Sequence, residues 1–100
     1  MRKIEELLRY KVIYDKYNNF NEFKEIMSTL DMALKDLQSD YYYKIIEKIY
    51  LDGCTREEVA EYYNTTGSTI TKNKQRLLDE LEKRVLPKEY FSNIGYLFSE

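Results

Sequence analysis

The chain has 100 residues, enough for one compact domain and too few for two ordinary ones. Its 43% hydrophobic and 34% charged residues indicate a globular protein and exclude a disordered tail. The formal net charge of −2 argues against a protein held on nucleic acid by bulk positive charge.

Glycine and proline, the main local breakers of helices, are rare in this sequence. Three glycines and one proline occur, and no segment alternates apolar and polar residues convincingly, so the predicted fold class is all-α. The chain has no histidine, and its single cysteine, Cys54, can form neither an intrachain disulfide nor a zinc site. We therefore expect no metal, no cofactor and no catalytic site. Without a signal peptide or an apolar run of membrane-spanning length, a soluble cytoplasmic protein is expected.

Residues 1–38 predict a helical hairpin. Residues 2–17 place apolar side chains at helical spacing, and the link at 17–19 interrupts that pattern. Asn19 followed by Glu22 resembles a capping box for a second helix that runs to about Leu37. This second helix carries a heptad seam of six apolar residues: Phe20, Phe23, Met27, Leu30, Leu34 and Leu37.

The heptad seam has two interpretations. It can be the interface of a homodimeric coiled coil, or it can pack the second helix against the first inside one chain. Only about two and a half heptads are present, fewer than a coiled coil usually needs. The short link also favours antiparallel neighbours, so we expect the intrachain hairpin, with dimerisation through its outer face as the alternative.

Residues 39–86 predict a third helix followed by a helix-turn-helix. Residues 38–40 break the pattern and can cap the third helix, and Gly53 suits the left-handed position that closes it. The third helix carries a wide apolar stripe typical of a helix buried in a small core: Tyr42, Ile45, Ile46, Ile49 and Tyr50.

The segment from Thr55 onward is the most informative part of the sequence. Thr55 and Glu58 form a capping box, which starts a helix over residues 55–63. Ala60 is small enough for two helices to cross closely at its position. A turn residue follows four positions later and an apolar residue ten positions later, Asn64 and Ile70, which are the offsets of a helix-turn-helix. Thr66 is expected to cap the second helix of the motif, over about residues 67–85.

Residues 87–100 begin with a proline that stops the preceding helix. They continue with a helical apolar stripe: Tyr90, Phe91, Ile94, Leu97 and Phe98. We expect a short C-terminal helix that completes the core, with a partner-binding surface as the alternative, and a single compact unit overall.

Residues 41–81 resemble region 4 of bacterial sigma factors, the domain that reads the −35 promoter element. The matching features are Leu51-Asp52-Gly53, Thr55 with Glu57-Glu58-Val59-Ala60, the stretch Thr66-Gly67-Ser68-Thr69-Ile70, and the pair Leu78 and Leu81. The resemblance covers about 40 of the 100 residues. The N-terminal part matches nothing in full-length sigma factors, and the layout is similar to small phage-type regulators of transcription.

The resemblance implies which residues face DNA. They lie on the recognition helix and at the start of the helix before it: Ser68, Thr69, Thr71, Lys72, Lys74, Gln75, Arg76 and Thr55. Lys72 and Gln75 are the candidates for reading bases, whereas Lys74 and Arg76 are candidates for phosphates, as is Thr55 at a helix N-terminus. The family usually has arginines and a glutamate where this chain has short hydroxyls, and an apolar residue where it has Asn73.

Two functions follow from these features. The first is a transcription regulator that binds double-stranded DNA, either as a homodimer or together with RNA polymerase. The second is a protein-interaction module that binds RNA polymerase or a sigma factor and redirects or inhibits it. An enzyme is not expected.

Overall fold

A computed structural model of the chain describes residues 2–17 and 23–86. Within these ranges every regular element is helical, as the sequence predicts, and no strand occurs. The elements are α1 (Lys3–Tyr17), α2 (Lys24–Asp36), α3 (Tyr43–Ile46), α4 (Arg56–Tyr62) and α5 (Gly67–Val85), and α3 continues directly into a π-helical turn, Glu47–Leu51. No helix in the described ranges is long and apolar enough to cross a membrane.

The heptad seam of α2 is buried inside the single chain. Met27, Leu30, Leu34 and Leu37 are buried and Phe23 is half-buried, whereas Phe20 lies outside the described residues. The main partner of α2 is α5, not α1 as the hairpin interpretation expected. The physical reason is that α5 offers a longer apolar stripe than α1 does: Leu77, Leu78, Leu81 and Val85. Within the single chain the four buried seam residues are therefore core residues, and their role as a dimer interface stays a prediction.

The N-terminal helix packs on a different part of the molecule. It contacts the π-helical turn and α5, and its buried residues join the same core as the seam of α2: Ile4, Leu7 and Leu8. An ion pair between Lys11 and Asp31 links α1 to α2 at the surface. The core is thus organised around α5, which contacts each of the other four α-helices.

A smaller apolar cluster joins α4 to α5. Ile45, Val59, Ala60 and Ile70 are buried together, so α4 and α5 pack where Ala60 was expected to let two helices cross. Two residues of left-handed backbone flank α4, Gly53 with a φ of 76° and Asn64 with a φ of 55°. Gly53 was predicted to be left-handed and Asn64 to be the turn residue, and both residue types tolerate this conformation better than most others.

Local hydrogen bonds set the starts of the last two helices. The Thr55 hydroxyl accepts from the backbone N–H of Glu58 at 3.1 Å, and the Glu58 carboxylate accepts from the N–H of Thr55 at 2.7 Å. The Thr66 hydroxyl accepts from the N–H of Thr69 at 3.3 Å. The predicted capping box and the second cap are both confirmed. The predicted cap at Asn19 and the expected helix over residues 87–100 lie outside the described residues.

Candidate nucleic-acid interface

The first turns of α5 present an outer face. Ile70 and Leu77 are fully buried and so determine which side of the helix faces the core. Because successive residues rotate by about 100° around a helix, Ser68, Lys72 and Gln75 fall on the opposite side. All three are exposed. The structure therefore brings these three predicted site residues together on one surface.

Lys72 lies at the centre of this outer face. No hydrogen bond or ion pair joins its ammonium group to any residue in the described part of the chain, and the same holds for the Ser68 hydroxyl. A solvated lysine without a partner loses no intramolecular bond when it meets an anion. Lys72 is therefore the cation of α5 that is best placed to contact a phosphate or a base edge.

Arg56 is a second cation at this surface, and sequence reasoning missed it. Its Nη1 donates to the Thr71 hydroxyl at 3.1 Å. A Cβ atom added at Gly67 would lie 3.0 Å from its Nε, so the side chain crosses the first turn of α5. Its nearest acid is Glu57, with Nε 3.6 Å from the carboxylate. The signal that could have identified it is its place directly after Thr55, in the first turn of a capped helix that precedes the turn.

Arg76 has partners that were not predicted. Its Nη1 and Nη2 donate to the two carboxylate oxygens of Asp40, at 2.9 and 3.1 Å. Its Nε and Nη2 also donate to the side-chain oxygen of Asn73, both at 3.3 Å. The hydrogen bond from Arg76 lowers the pKa of the Asp40 carboxyl despite its partial burial, so this ion pair is fully charged at neutral pH. Arg76 lies at the edge of the outer face with its charge neutralised.

Gln75 is similarly occupied by the N-terminal end of the chain. The guanidinium of Arg2 donates to its side-chain oxygen at 2.8 Å. The same group donates to Asp79 at 2.7 Å and to Glu82 at 3.1 Å. Arg2 thus ties the start of α1 to the second half of α5, and this half carries acids that would repel a phosphate.

One further predicted position, Lys74, does not lie on the outer face, and neither does the neighbouring Asn73. Lys74 is two residues after Lys72, a rotation of about 200° around the helix, so it lies on the opposite side and is half-buried. There it is close enough to Glu5 to lower the pKa of that carboxyl. Asn73 is half-buried as well, and its amide donates to the Thr69 carbonyl at 2.9 Å. This bond, together with the one from Arg76, explains why a polar residue is tolerated there. Lys74 is therefore not placed to contact the same phosphates as Lys72.

The threonines at this surface are already engaged in local bonds. The hydroxyl of Thr55 caps α4, that of Thr71 accepts from Arg56, and that of Thr69 lies 3.2 Å from the Thr66 hydroxyl. Each retains some hydrogen-bonding capacity, but each serves first to hold the helices in place. Their contribution to an interface is therefore mainly to position the backbone.

An exposed tyrosine cluster lies beside the turn, and sequence reasoning did not single it out. The rings of Tyr41, Tyr42, Tyr62 and Tyr63 contact one another with centroid separations of 4.9 to 5.3 Å. The Tyr63 hydroxyl donates to the Tyr41 carbonyl at 2.9 Å, which joins the end of α4 to the start of α3. Tyr41 and Tyr62 keep 72% and 56% of their surface exposed, so they form an aromatic patch.

Comparison of the chain with protein-family models, with curated proteins and with solved structures finds no match. The resemblance to sigma factor region 4 therefore rests on the sequence features alone and stays a prediction.

Proposed function

We propose that the chain is a DNA-binding transcription regulator that places the first half of α5 in the major groove, in the manner of sigma factor region 4. One observation carries the proposal: residues 67–78 contain no acid, and their outer face holds Lys72 and Ser68, whose side chains have no partner among residues 2–17 and 23–86. The major groove is about 12 Å wide and admits one α-helix. Such a role is exercised in the cytoplasm, on double-stranded DNA.

The charge distribution supports weak binding by one copy of the chain. Among the described residues Lys72 has no carboxylate partner, Arg56 is paired only through Nε with the exposed Glu57 at 3.6 Å, and Arg76 is paired with Asp40. Each neutralised phosphate contributes roughly 0.9 to the slope of log affinity against log salt concentration. A salt slope of about two is therefore expected for one copy of the chain. Tight binding to DNA would then require further contacts from a second copy of the chain or from RNA polymerase.

The test compares binding of Lys72→Gln and Lys83→Gln variants to a labelled duplex pool of random sequence and to duplexes enriched from that pool. Lys83 lies on the same helix, exposed, but beyond Asp79 and beside Glu80. We expect Lys72→Gln to lower affinity about three- to tenfold and to reduce the salt slope by about 1, and Lys83→Gln to leave both unchanged. Equal affinities for the two variants, with both folded by circular dichroism, would refute the proposal.

A second function is favoured by the exposed tyrosine cluster. Exposed aromatic residues at a protein surface are enriched at protein–protein interfaces. We therefore propose as the alternative a module that binds RNA polymerase or a sigma factor through Tyr41 and Tyr62. A pull-down with purified, DNA-free RNA polymerase tests it. Capture that is lost in Tyr62→Ser but kept in Lys72→Gln would favour this alternative, and absence of capture would exclude polymerase as a partner.

A further inference from the structure

We propose that Asp40 tunes DNA binding by holding Arg76 away from the duplex, so that the chain contacts DNA chiefly through Lys72. This inference rests on the proposed function of α5 and names the residue that limits its affinity. Asp40 lies outside the helix-turn-helix, in the segment between α2 and α3.

The geometry of the Asp40–Arg76 ion pair fixes the orientation of the guanidinium. Both terminal nitrogens of Arg76 donate to Asp40, one to each carboxylate oxygen, which is the bidentate arrangement that arginine forms best. Asn73 accepts from the remaining Nε, so every nitrogen of the guanidinium has a partner. The Arg76 side chain nevertheless keeps 45% of its surface exposed, so it can be released without opening the core.

The orientation of Asp40 is set by local hydrogen bonds that do not involve Arg76. Its Oδ1 accepts from the backbone N–H of Tyr42 at 2.9 Å, and its carbonyl accepts from the N–H of Tyr43 at 3.0 Å. These local bonds orient the carboxylate at the start of α3, and they do not depend on α5. Arg76 therefore docks on a preformed acceptor, and the rotamer freedom lost on pairing is mainly that of the arginine.

The position of Arg76 makes its release relevant to DNA. It follows Lys72 by one helical turn, about 6 Å along the axis and about 40° around it. A free guanidinium there would extend the cationic surface that begins at Lys72. In the paired state, by contrast, the Asp40 carboxylate stands at the edge of that surface and repels phosphates. Removal of the Asp40 charge alone should therefore strengthen binding.

The expected effect is moderate, because ion pairs with exposed side chains are weak. We expect Asp40→Asn to raise affinity for the random duplex pool about three- to tenfold and to steepen the salt slope by about 1, the contribution of one added phosphate contact. Asparagine still accepts the N–H of Tyr42, so the turn before α3 is retained. Asp40→Ser, which can also accept that bond, serves as a second variant, and circular dichroism checks the fold of both.

Two controls separate release of Arg76 from a general change in charge. Asp36→Asn removes one exposed carboxylate at the end of α2, where no bond to Arg76 exists, and should leave affinity unchanged. The double variant Asp40→Asn with Arg76→Gln should lose the gain of Asp40→Asn. A gain that persists in the double variant, or no gain in Asp40→Asn while the wild type binds DNA, would overturn the inference. Absence of binding by both wild type and Asp40→Asn would overturn the proposed function and this inference with it.

Discussion

Tyr50 joins the π-helical turn to the start of α1 through one side-chain hydrogen bond. Its hydroxyl donates to Glu5, whose other carboxylate oxygen accepts from the backbone N–H of Arg2 at 2.9 Å. Burial by itself would raise the pKa of the Glu5 carboxyl, but these two bonds and the charge of Lys74 lower it overall. Burial and the nearby carboxylate raise the pKa of Tyr50, so its phenol remains a donor across the neutral range.

This arrangement predicts a pH-dependent effect of Tyr50→Phe. A carboxyl whose pKa is lowered on folding stabilises the fold above its unfolded pKa of about 4, and this contribution is lost as the pH falls below that value. We expect Tyr50→Phe to lower the free energy of unfolding by about 1–3 kcal/mol at neutral pH, the cost of losing a hydrogen bond to a charged group. The difference should shrink in acid. Urea unfolding of both proteins at neutral and acidic pH measures it.

The matched control is Tyr62→Phe. Tyr62 is exposed, and its hydroxyl forms no hydrogen bond within the described residues, so its removal should leave stability unchanged at every pH. A destabilisation by Tyr50→Phe that stays constant from neutral to acidic pH would show that the loss comes from packing and not from the ionised Glu5.

At the scale of single elements, α4 depends most on its ends. It has seven residues, whereas isolated helices shorter than about 12–15 residues are marginal in water. Two features compensate: the capping box at Thr55 and the burial of Val59 and Ala60 against α5. The length of α5, 19 residues, makes it less sensitive to the loss of its own cap at Thr66.

We therefore expect Thr55→Ala to lower the free energy of unfolding by about 1 kcal/mol, because the N–H of Glu58 loses its acceptor and the reciprocal bond is weakened. Chemical denaturation of the variant and the wild type measures the loss. Ser28→Ala is the control, since Ser28 is exposed inside α2 and alanine is a better helix former. Equal destabilisation by the two substitutions would argue against the capping box as the cause.

At the scale of the whole molecule, α5 serves both the core and the surface. Its inner stripe packs against α2, and its first turns present Lys72 outward. Arg2 and Asp40 contact it from the two flanks, through Gln75 and Arg76. The packing that stabilises the fold therefore also determines how much of the outer face is open to a partner.

Because the seam of α2 is buried, we expect a substitution at its centre to cause a large loss of stability. Leu30 is fully buried, so Leu30→Ala should lower the free energy of unfolding by about 2–5 kcal/mol through lost apolar contact and the cavity left behind. Because the seam is packed within one chain, folding should not require association, and without DNA the thermal midpoint of the wild type should not depend on protein concentration. Calorimetry of the variant, and of the wild type over a range of concentrations, measures both.

Met32 provides the comparison within the same helix. It keeps 66% of its surface exposed, and Met32→Ala should change stability by no more than about 0.5 kcal/mol. A midpoint that rises with protein concentration would indicate that the folded state is coupled to association, through the seam or through another surface.

Local sequence alone determined the starts of α4 and α5 and the shape of the turn between them. The capping box at Thr55, the cap at Thr66 and the left-handed residues Gly53 and Asn64 could all be predicted, because each depends on atoms within a few residues of itself. The apolar periodicity likewise predicted that the seam of α2 is buried or shared. The periodicity could not predict which helix packs against this seam, because any complementary apolar stripe could do so.

Only the tertiary structure decided which of the predicted DNA-facing side chains are held by partners within the chain and which are not. Arg76 and Gln75 are adjacent to Lys72 on the helix, but they are held by Asp40 and Arg2, which are 36 and 73 residues away along the chain. No spacing rule predicts such pairs, because they depend on how α1 and the start of α3 pack against α5. Sequence therefore identified the helix of the proposed DNA interface. Within the part of the chain that the structure describes, packing leaves Lys72 as the cation on its outer face without a carboxylate partner, with Arg56 beside it.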